Sequence, residues 1–164
     1  IAEGIDFTAD FSIDTESAGV FGFGLLTTYF TKYDVAITPA ADEVDLLNTI
    51  YNPLEFKARA DFTWKLGGLS AALFVTHLNS YTNNLISPDE TVDSLTTLDL
   101  NLAYHFSGGG LAEGLSVALD AVNLLDEEPP FVNIAQSPNG GGGFDPTLNN
   151  PVGRIVGLTL RKKW

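Results

Sequence analysis

Residues 97–106 read TLDLNLAYHF, and this stretch decides the fold class. Leu98, Leu100 and Leu102 alternate there with Asp99 and Asn101. Successive side chains of a β-strand point to opposite faces of the sheet, so a period of two predicts a strand with one apolar and one polar face. We therefore expect the three leucines on one face of a sheet, and Asp99 and Asn101 on the other.

Other segments of the chain show the same period with differing clarity. Including residues 97–106, the predicted strands cover residues 5–14, 19–33, 56–64, 69–81, 97–106, 115–125 and 154–164. In the fourth of them both faces are fairly apolar, and the pattern does not assign the outward face. No window reaches the roughly 18 uninterrupted apolar residues that a membrane helix needs. The sequence predicts an all-β chain, an antiparallel up-and-down meander of about seven strands.

The connections between the predicted strands differ in length at the two ends of the sheet. Short connections alternate with long ones, at 15–18, 65–68 and 107–114 for the short and 34–54, 82–93 and 126–150 for the long. A soluble β-sandwich shares the period of two. Outer-membrane β-barrels add this asymmetry, because they have short periplasmic turns and long external loops. The connections therefore favour a transmembrane barrel over a sandwich.

Aromatic residues gather at the short-turn end of the predicted sheet: Phe21, Phe23, Trp64, Tyr104, Phe106 and Trp164. Such a band is typical of the girdle at a membrane–water interface. A bacterial barrel needs an even number of strands, so seven cannot close one. The chain also begins without an initiator Met or the pattern of a signal peptide. We therefore expect a piece of a longer barrel in the outer membrane of a Gram-negative bacterium.

Composition and charge exclude some functions. The 164 residues contain no Cys and carry a formal net charge of −13, which argues against a disulfide scaffold and against a nucleic-acid binder. The long connections hold acidic residues and no Lys or Arg: Asp34, Asp42, Glu43, Asp45, Asp89, Glu90, Asp93, Asp126, Glu127, Glu128 and Asp145. We interpret this acidity as solubility at a surface where divalent cations bridge lipopolysaccharide; the alternative is a vestibule that repels anionic ligands.

Candidate chemical groups are few. His77 and His105 are the only histidines, and Asn101 and His105 lie about 13 Å apart along a strand, too far to act as a catalytic pair. We predict no catalytic, metal or cofactor site, and no enzyme activity. Seven polar residues are instead predicted to line the lumen of the barrel: Asp6, Asp10, Lys57, Arg59, Asp61, Asp99 and Asn101.

Residues 122–131 read VNLLDEEPPF and resemble the Asn-Leu-Phe-Asp segment that ends the penultimate strand of TonB-dependent receptors. Phe144-Asp145-Pro146, Gly153-Arg154 and Trp164 are similar to the end of that family, and residues 51–81 to its preceding hairpin. The resemblance covers nearly the whole chain. It departs from the family at Leu125, where Phe is usual, and at Lys162, where an apolar residue is commoner.

The resemblance implies a 22-stranded barrel with an N-terminal plug, of which residues 1–164 are the C-terminal segment, with the plug absent from these residues. It implies TonB-energised uptake of a ferric siderophore, cobalamin or oligosaccharide, with TonB acting through the plug. The seven lumen residues become candidate plug contacts. Leu158, Leu160 and Trp164 become the closing-strand signal for the barrel-assembly machinery. A passive porin or structural barrel is the main alternative, followed by a secreted β-sandwich that acts as a binding module.

Overall fold

The computed structural model describes residues 1–134 and 142–163. The described chain is all-β, with 58% strand and no helix, and none of its elements is a helix that could cross a membrane. The strands are β1 Ala2–Thr15, β2 Gly19–Val35, β3 Val44–Asp45, β4 Phe56–Leu66, β5 Leu69–Leu78, β6 Tyr81–Asn83, β7 Glu90–Val92, β8 Leu95–His105, β9 Leu115–Val122 and β10 Ile155–Lys162.

Seven long strands pair in the order β1-β2-β4-β5-β8-β9-β10, and every pair is antiparallel. Each strand therefore pairs with the next long strand along the chain, which confirms the predicted meander. The short strand β3 pairs with the end of β2 and brings the sheet to eight strands, one more than predicted. The sheet is open, with β1 and β10 as its edges.

The predicted boundaries were wrong at several strand ends and in two loops. β5 ends at Leu78 and not at residue 81, because Tyr81 belongs to β6, which pairs with β7 in a separate hairpin. β9 ends at Val122 and not at residue 125, because Asn123 has a φ of 52°, which a strand cannot continue. β10 begins at Ile155, one residue later than predicted. Trp164 lies outside the described residues. Residues 34–54 and 82–93, predicted as loops, contain β3, part of β6 and β7.

The pairing register gives the sheet two faces of opposite character. One face, here called the polar face, carries nearly all the charged side chains of the long strands: Asp6, Asp10, Asp14, Lys57, Arg59, Asp61, Lys65, Asp99, Asp120 and Arg161. The other, the apolar face, carries the predicted leucines of β8 and the row Leu73–Leu100–Ala121 across three strands. The register also shows which side chains of β5 lie on each face: Phe74 and Thr76 lie on the polar face.

The apolar face is not covered by any part of the described chain. Phe11 is 62% exposed, Leu158 66% and Leu160 65%. A hydrophobic core lies elsewhere, among the long loops, and consists of Ile50, Leu54, Tyr81, Val92 and Val132. The sheet therefore exposes an apolar surface that a folded protein in water would bury.

Aromatic side chains border the apolar face at both ends. At the short-turn end Phe21 stacks on Trp64, with ring centroids 6.3 Å apart. The indole N–H of Trp64 donates to the Ala18 carbonyl at 2.7 Å, which ties the ring to the adjacent turn. Tyr104 and Phe106 form an edge-to-face pair at 4.6 Å at the same end. At the long-loop end Tyr29, Phe56 and His77 form a second group on this face, which the sequence pattern did not predict.

Candidate functional site: the long-loop end of the polar face

All seven predicted lumen residues lie on the polar face, spread over three strands. Asp6 and Asp10 are on β1, Lys57, Arg59 and Asp61 on β4, and Asp99 and Asn101 on β8. The structure brings Arg59 and Asp99 to 3.9 Å but leaves Asp6 and Asp10 beyond the intervening strand β2. They form a polar surface and not one compact cluster. That this surface faces the lumen of a barrel stays a prediction.

Arg59 is held by three neighbours on the polar face. Its guanidinium donates to the Thr76 hydroxyl at 2.8 Å, lies 4.7 Å from the centre of the Phe74 ring and pairs with Asp99. The other oxygen of Asp99 accepts the backbone N–H of Asn123 at 2.9 Å. A cation on an aromatic face that also reaches a carboxylate is restricted in orientation. Arg59 therefore sits as a fixed positive charge below the long loops.

The remaining polar residues bond to neighbouring strands. Thr28 donates to Asp6 at 2.7 Å, and Asn101 donates to Asp120 at 2.5 Å. The carboxylate of Asp61 lies over Gly24, where a Cβ atom would come within 2.2 Å of its Oδ1. Gly24 therefore leaves room for a charged side chain from the next strand. These bonds pair polar side chains of neighbouring strands, and the surface that they form is compatible with water.

The two histidines lie on opposite faces of the sheet. His77 is on the apolar face and bonds to the Thr96 hydroxyl at 2.8 Å. His105 is on the polar face near a short turn and bonds to the Ser116 hydroxyl at 2.9 Å. Because the sheet separates them, His77 and His105 cannot belong to the same binding or catalytic site. Within residues 1–134 and 142–163, no group of three or more His, Cys, Asp or Glu side chains is placed to hold a metal ion.

The long loops pack on one another at one end of the sheet. Ile50 donates its backbone N–H to the Thr82 carbonyl at 2.9 Å, and Thr82 returns a bond to the Asn48 carbonyl at 2.9 Å. These bonds join the first long loop to the second. The buried Asn83 joins the second to the third, because its side chain donates to the Asn133 carbonyl at 2.9 Å. Together with the hydrophobic core, the bonds give the loop end a defined shape.

A buried carboxylate lies inside these packed loops. Asp145 accepts the backbone N–H and the hydroxyl of Thr147 at 2.8 and 2.6 Å, and the backbone N–H of Tyr51 at 3.4 Å. Tyr81 is buried nearby, and its pKa is raised, first because burial disfavours the charged phenolate and second because of the Asp145 charge. A raised phenol pKa keeps Tyr81 neutral, so its contribution to stability is fully present below the unfolded-state value near 10 and lost only at higher pH.

The residues that carry the family resemblance form the corner between β9 and β10. Asn123 and Asp126 both have positive φ, 52° and 62°, a conformation that Asn and Asp tolerate better than most residues. The Asn123 side chain bonds to both the N–H and the carbonyl of Glu127. Asp126 accepts the backbone N–H of Arg154 at 2.6 Å, across the third long loop. The motif therefore joins the loop ends of the last two strands.

We expect Asp126→Ala and Gly153→Ala to lower the free energy of unfolding by about 1 kcal/mol each, the usual value of one exposed hydrogen bond. The first removes the acceptor for Arg154, and the second places a Cβ atom 2.6 Å from Asp126 Oδ1 and displaces the carboxylate. Denaturant titration of the purified protein measures both. Glu128→Ala, a change at an exposed residue of the same loop, is the control. Equal losses in all three variants would show that the corner has no special role.

A cavity of about 220 Å³ lies between the polar face and the third long loop. Its sheet side includes Thr76, Thr97 and Asp99, and its loop side includes Glu127 and Asn149. It lies at the top of β5, β8 and β9, next to the Asn123 corner. This cavity is the candidate functional site.

No protein-family model, curated protein or solved structure matches the chain. Function is therefore inferred from the two-faced sheet, the packed loops and the corner at Asn123.

Sequence reasoning missed the buried polar residues of the loops, among them Asn83, Asp145 and Asn149. A signal for them was present. Ile50, Leu54, Val92 and Leu148 are aliphatic residues within otherwise polar loops, and such residues indicate a local core. Asn and Asp beside a local core commonly satisfy loop backbone groups, which is the role of Asn83 and Asp145 here.

Proposed function

We propose that the chain is the C-terminal part of the barrel of a TonB-dependent outer-membrane receptor. The observation that carries this proposal is the uncovered apolar face of the long strands. Lipid covers that face, and lipopolysaccharide surrounds the long loops. Further strands of the protein complete a barrel of 22 strands. A plug from the N-terminal part of the protein fills the lumen, contacts TonB and admits a scarce nutrient.

The distribution of buried residues supports a lipid-facing sheet. A soluble β-sandwich buries its apolar face against a second sheet, whereas five of the six buried hydrophobic residues of the described chain lie at the long loops. The side chains of Phe11, Leu158 and Leu160 remain exposed. Lipid is a solvent in which such side chains are stable, while unpaired backbone groups are not, so the sheet needs partner strands at both edges.

The two aromatic groups support the same orientation. Phe56 and Trp64 mark the two ends of the apolar face on β4, and residues 56–64 separate the two groups by the length of one strand. A tilted strand crosses a bilayer in about 9–11 residues, and barrels carry aromatic girdles at both interfaces. The spacing of the two groups therefore fits the thickness of a membrane.

The closing strand and the polar face have roles in this proposal. Leu158 and Leu160 lie on the apolar face of β10 and, with Trp164, form the signal that the barrel-assembly machinery recognises. The polar residues of β1, β4 and β8 contact water or the plug. Lys162, a departure from the family pattern, donates to the Leu111 carbonyl at 3.0 Å and to the Glu113 carbonyl, so it ties β10 to the last short turn.

A passive porin is the second candidate, and the polar face favours it equally. A water-filled lumen needs a polar wall whether or not a plug is present. The distinguishing feature is upstream sequence: a plug of about 150 residues, the usual size of a domain, and a TonB-contacting motif belong only to the receptor.

Single cysteines test the membrane orientation, because these 164 residues contain none. Ile37 is 92% exposed at the long-loop end and Leu111 is 100% exposed at the short-turn end. We expect Ile37→Cys to react with a membrane-impermeant maleimide on intact cells. Leu111→Cys should react only after the outer membrane is permeabilised. The unsubstituted protein is the control for background labelling, and equal labelling of both variants on intact cells would contradict the proposal.

A further inference from the structure

Lys162, where the chain departs from the resembled family, lies at the end of an apolar column of side chains. Leu158, Leu160 and Lys162 lie on the same face of β10, because side chains alternate along a strand. Leu158 and Leu160 are exposed, and Lys162 follows Leu160 by roughly 7 Å along the strand. Aliphatic groups followed at once by a cation match the order of acyl chain and phosphate in a phospholipid.

Lys162 lies at the same depth as an aromatic group of the short-turn end. The Phe106 N–H donates to the Leu115 carbonyl at 2.9 Å, and Leu115 is the partner of Lys162 in the register of β9 and β10. Phe106 in turn packs edge to face on Tyr104. Aromatic side chains mark the membrane–water interface of a barrel. In the proposed orientation, Lys162 is therefore at the level of the lipid head groups.

A recess of about 530 Å³ lies between the end of β10 and the last short turn. Lys162 and Lys163 line it, and Glu113 is the one acidic residue among the described residues of its wall. The Lys162 ammonium donates to the Leu111 carbonyl at 3.0 Å and to the Glu113 carbonyl, which holds the tip of the side chain at the turn. The Lys163 N–H donates to the Gly114 carbonyl at 3.0 Å, which fixes the backbone of Lys163 beside the same turn. Two lysines are therefore positioned at one recess.

Positive charge is concentrated at this end of the sheet. Four of the eight Lys and Arg residues lie there: Lys65, Arg161, Lys162 and Lys163. Three of them are consecutive at the end of β10, whereas the long loops at the opposite end hold none. Asp14 and Glu16 also lie at the short-turn end, but at the other edge of the sheet, in β1 and the turn that follows it. Basic residues beside an apolar membrane surface attract anionic lipids, so the end of β10 is complementary in charge to an anionic head group.

We propose that this recess binds the head group of an anionic phospholipid in the inner leaflet of the outer membrane. The phosphate pairs with Lys162 and Lys163, and the acyl chains pack on Leu158 and Leu160. The inference goes beyond the proposed function and rests on it, because the apolar face must lie in lipid, with the short turns on the periplasmic side, for the recess to meet that leaflet. It also gives a role to a residue that departs from the resembled family.

Three probes separate the contributions of head-group charge and acyl chains. Phosphatidylglycerol is anionic, phosphatidylcholine with the same acyl chains has no net charge, and glycerol phosphate is an anion without acyl chains. Native mass spectrometry of the protein with all of its upstream sequence, in a non-ionic detergent, measures the binding of each probe. We expect phosphatidylcholine to bind about 25-fold more weakly than phosphatidylglycerol, at about fivefold for each lysine beside an anionic head group, and glycerol phosphate not to bind measurably.

Three variants test which lysines form the site. Lys162→Gln and Lys163→Gln should each weaken the binding of phosphatidylglycerol by about fivefold and leave phosphatidylcholine unchanged, because only a charge is removed. Lys65→Gln makes the same charge change at the same end of the sheet, but on the polar face of β4 and outside the recess, and should alter neither. Thermal unfolding of each variant confirms that it is folded.

Equal binding of the two lipids by the unsubstituted protein would overturn the inference. Binding of glycerol phosphate as tight as that of phosphatidylglycerol would also overturn it, because it would indicate a site for free phosphate. An effect of Lys65→Gln equal to that of Lys162→Gln would do the same, because it would show only a general attraction to net charge. The cysteine-labelling experiment uses the same protein without added lipid. The expected labelling pattern with no lipid preference therefore refutes the lipid site alone, whereas equal labelling of both cysteines refutes the proposed function.

Discussion

Uptake of the nutrient is expected to fall to the background level in cells that lack TonB or whose proton gradient is collapsed. A barrel of 22 strands has a lumen wide enough to leak solutes, so a plug must fill it. In the proposed receptor, the polar face would offer that plug both charges and hydrogen-bonding groups, including Asp6, Lys57 and Asp99. Under this proposal, contacts between plug and wall would have to break for passage, and this step would require external energy.

Radiolabelled uptake measures this prediction in cells with and without functional TonB. Ferric chelates, cobalamin and oligosaccharides are the candidate substrates, and the protein is expressed with all of its upstream sequence. Cells that lack the protein itself give the background. Uptake that persists without TonB and rises linearly with concentration would instead support the passive porin.

If the proposed function is right, Leu100→Arg is expected to lower the free energy of unfolding in bilayers by about 2–4 kcal/mol, the cost of a cation on a lipid-facing strand near the midplane. Leu100 lies midway along β8, on the apolar face, between Leu73 of β5 and Ala121 of β9. None of these neighbours can pair with a guanidinium. The charge would therefore lie in lipid or force the strand to shift.

Asn101→Arg is the matched control, one residue along the same strand. Asn101 lies on the polar face and already donates to Asp120, so an Arg there meets a carboxylate and water. We expect a much smaller loss of stability. Denaturant titration of both variants in lipid vesicles decides between the faces. Equal losses would mean that β8 does not have one face in lipid and the other in the lumen.

The predicted strands agree with the structure where the alternation of residues is clean. In β1 and β8 polar and apolar side chains alternate almost without exception, and both strands form as predicted: β1 is longer at both ends, whereas β8 begins two residues earlier and ends one residue earlier than predicted. In β5 the sequence assigned no face, because Phe74 and Leu78 are apolar residues on the polar face. Phe74 lies there to support Arg59, a contact between strands that no pattern within β5 reveals.

The loop end was the least predictable part of the chain. Residues 34–54 and 82–93 lack a period, so the sequence indicated only loops. Their shape depends on contacts between residues far apart in the chain, such as Tyr51 with Asp145 and Asn83 with Asn133. The resemblance around Asn123 located the corner between the last two strands. It did not reveal that Asp126 bonds to Arg154 across the third loop.

By itself, the sequence determined the all-β class, the meander and the separation of polar from apolar residues along β1 and β8. These follow from local physics, because neighbouring side chains on a strand point in opposite directions. Only the tertiary structure decided where the hydrophobic core lies, which face of β5 is polar, and that a cavity forms with Asn149 in its wall. Those features depend on the pairing register and on contacts between loops that are far apart in the sequence. Local sequence does not encode such long-range contacts.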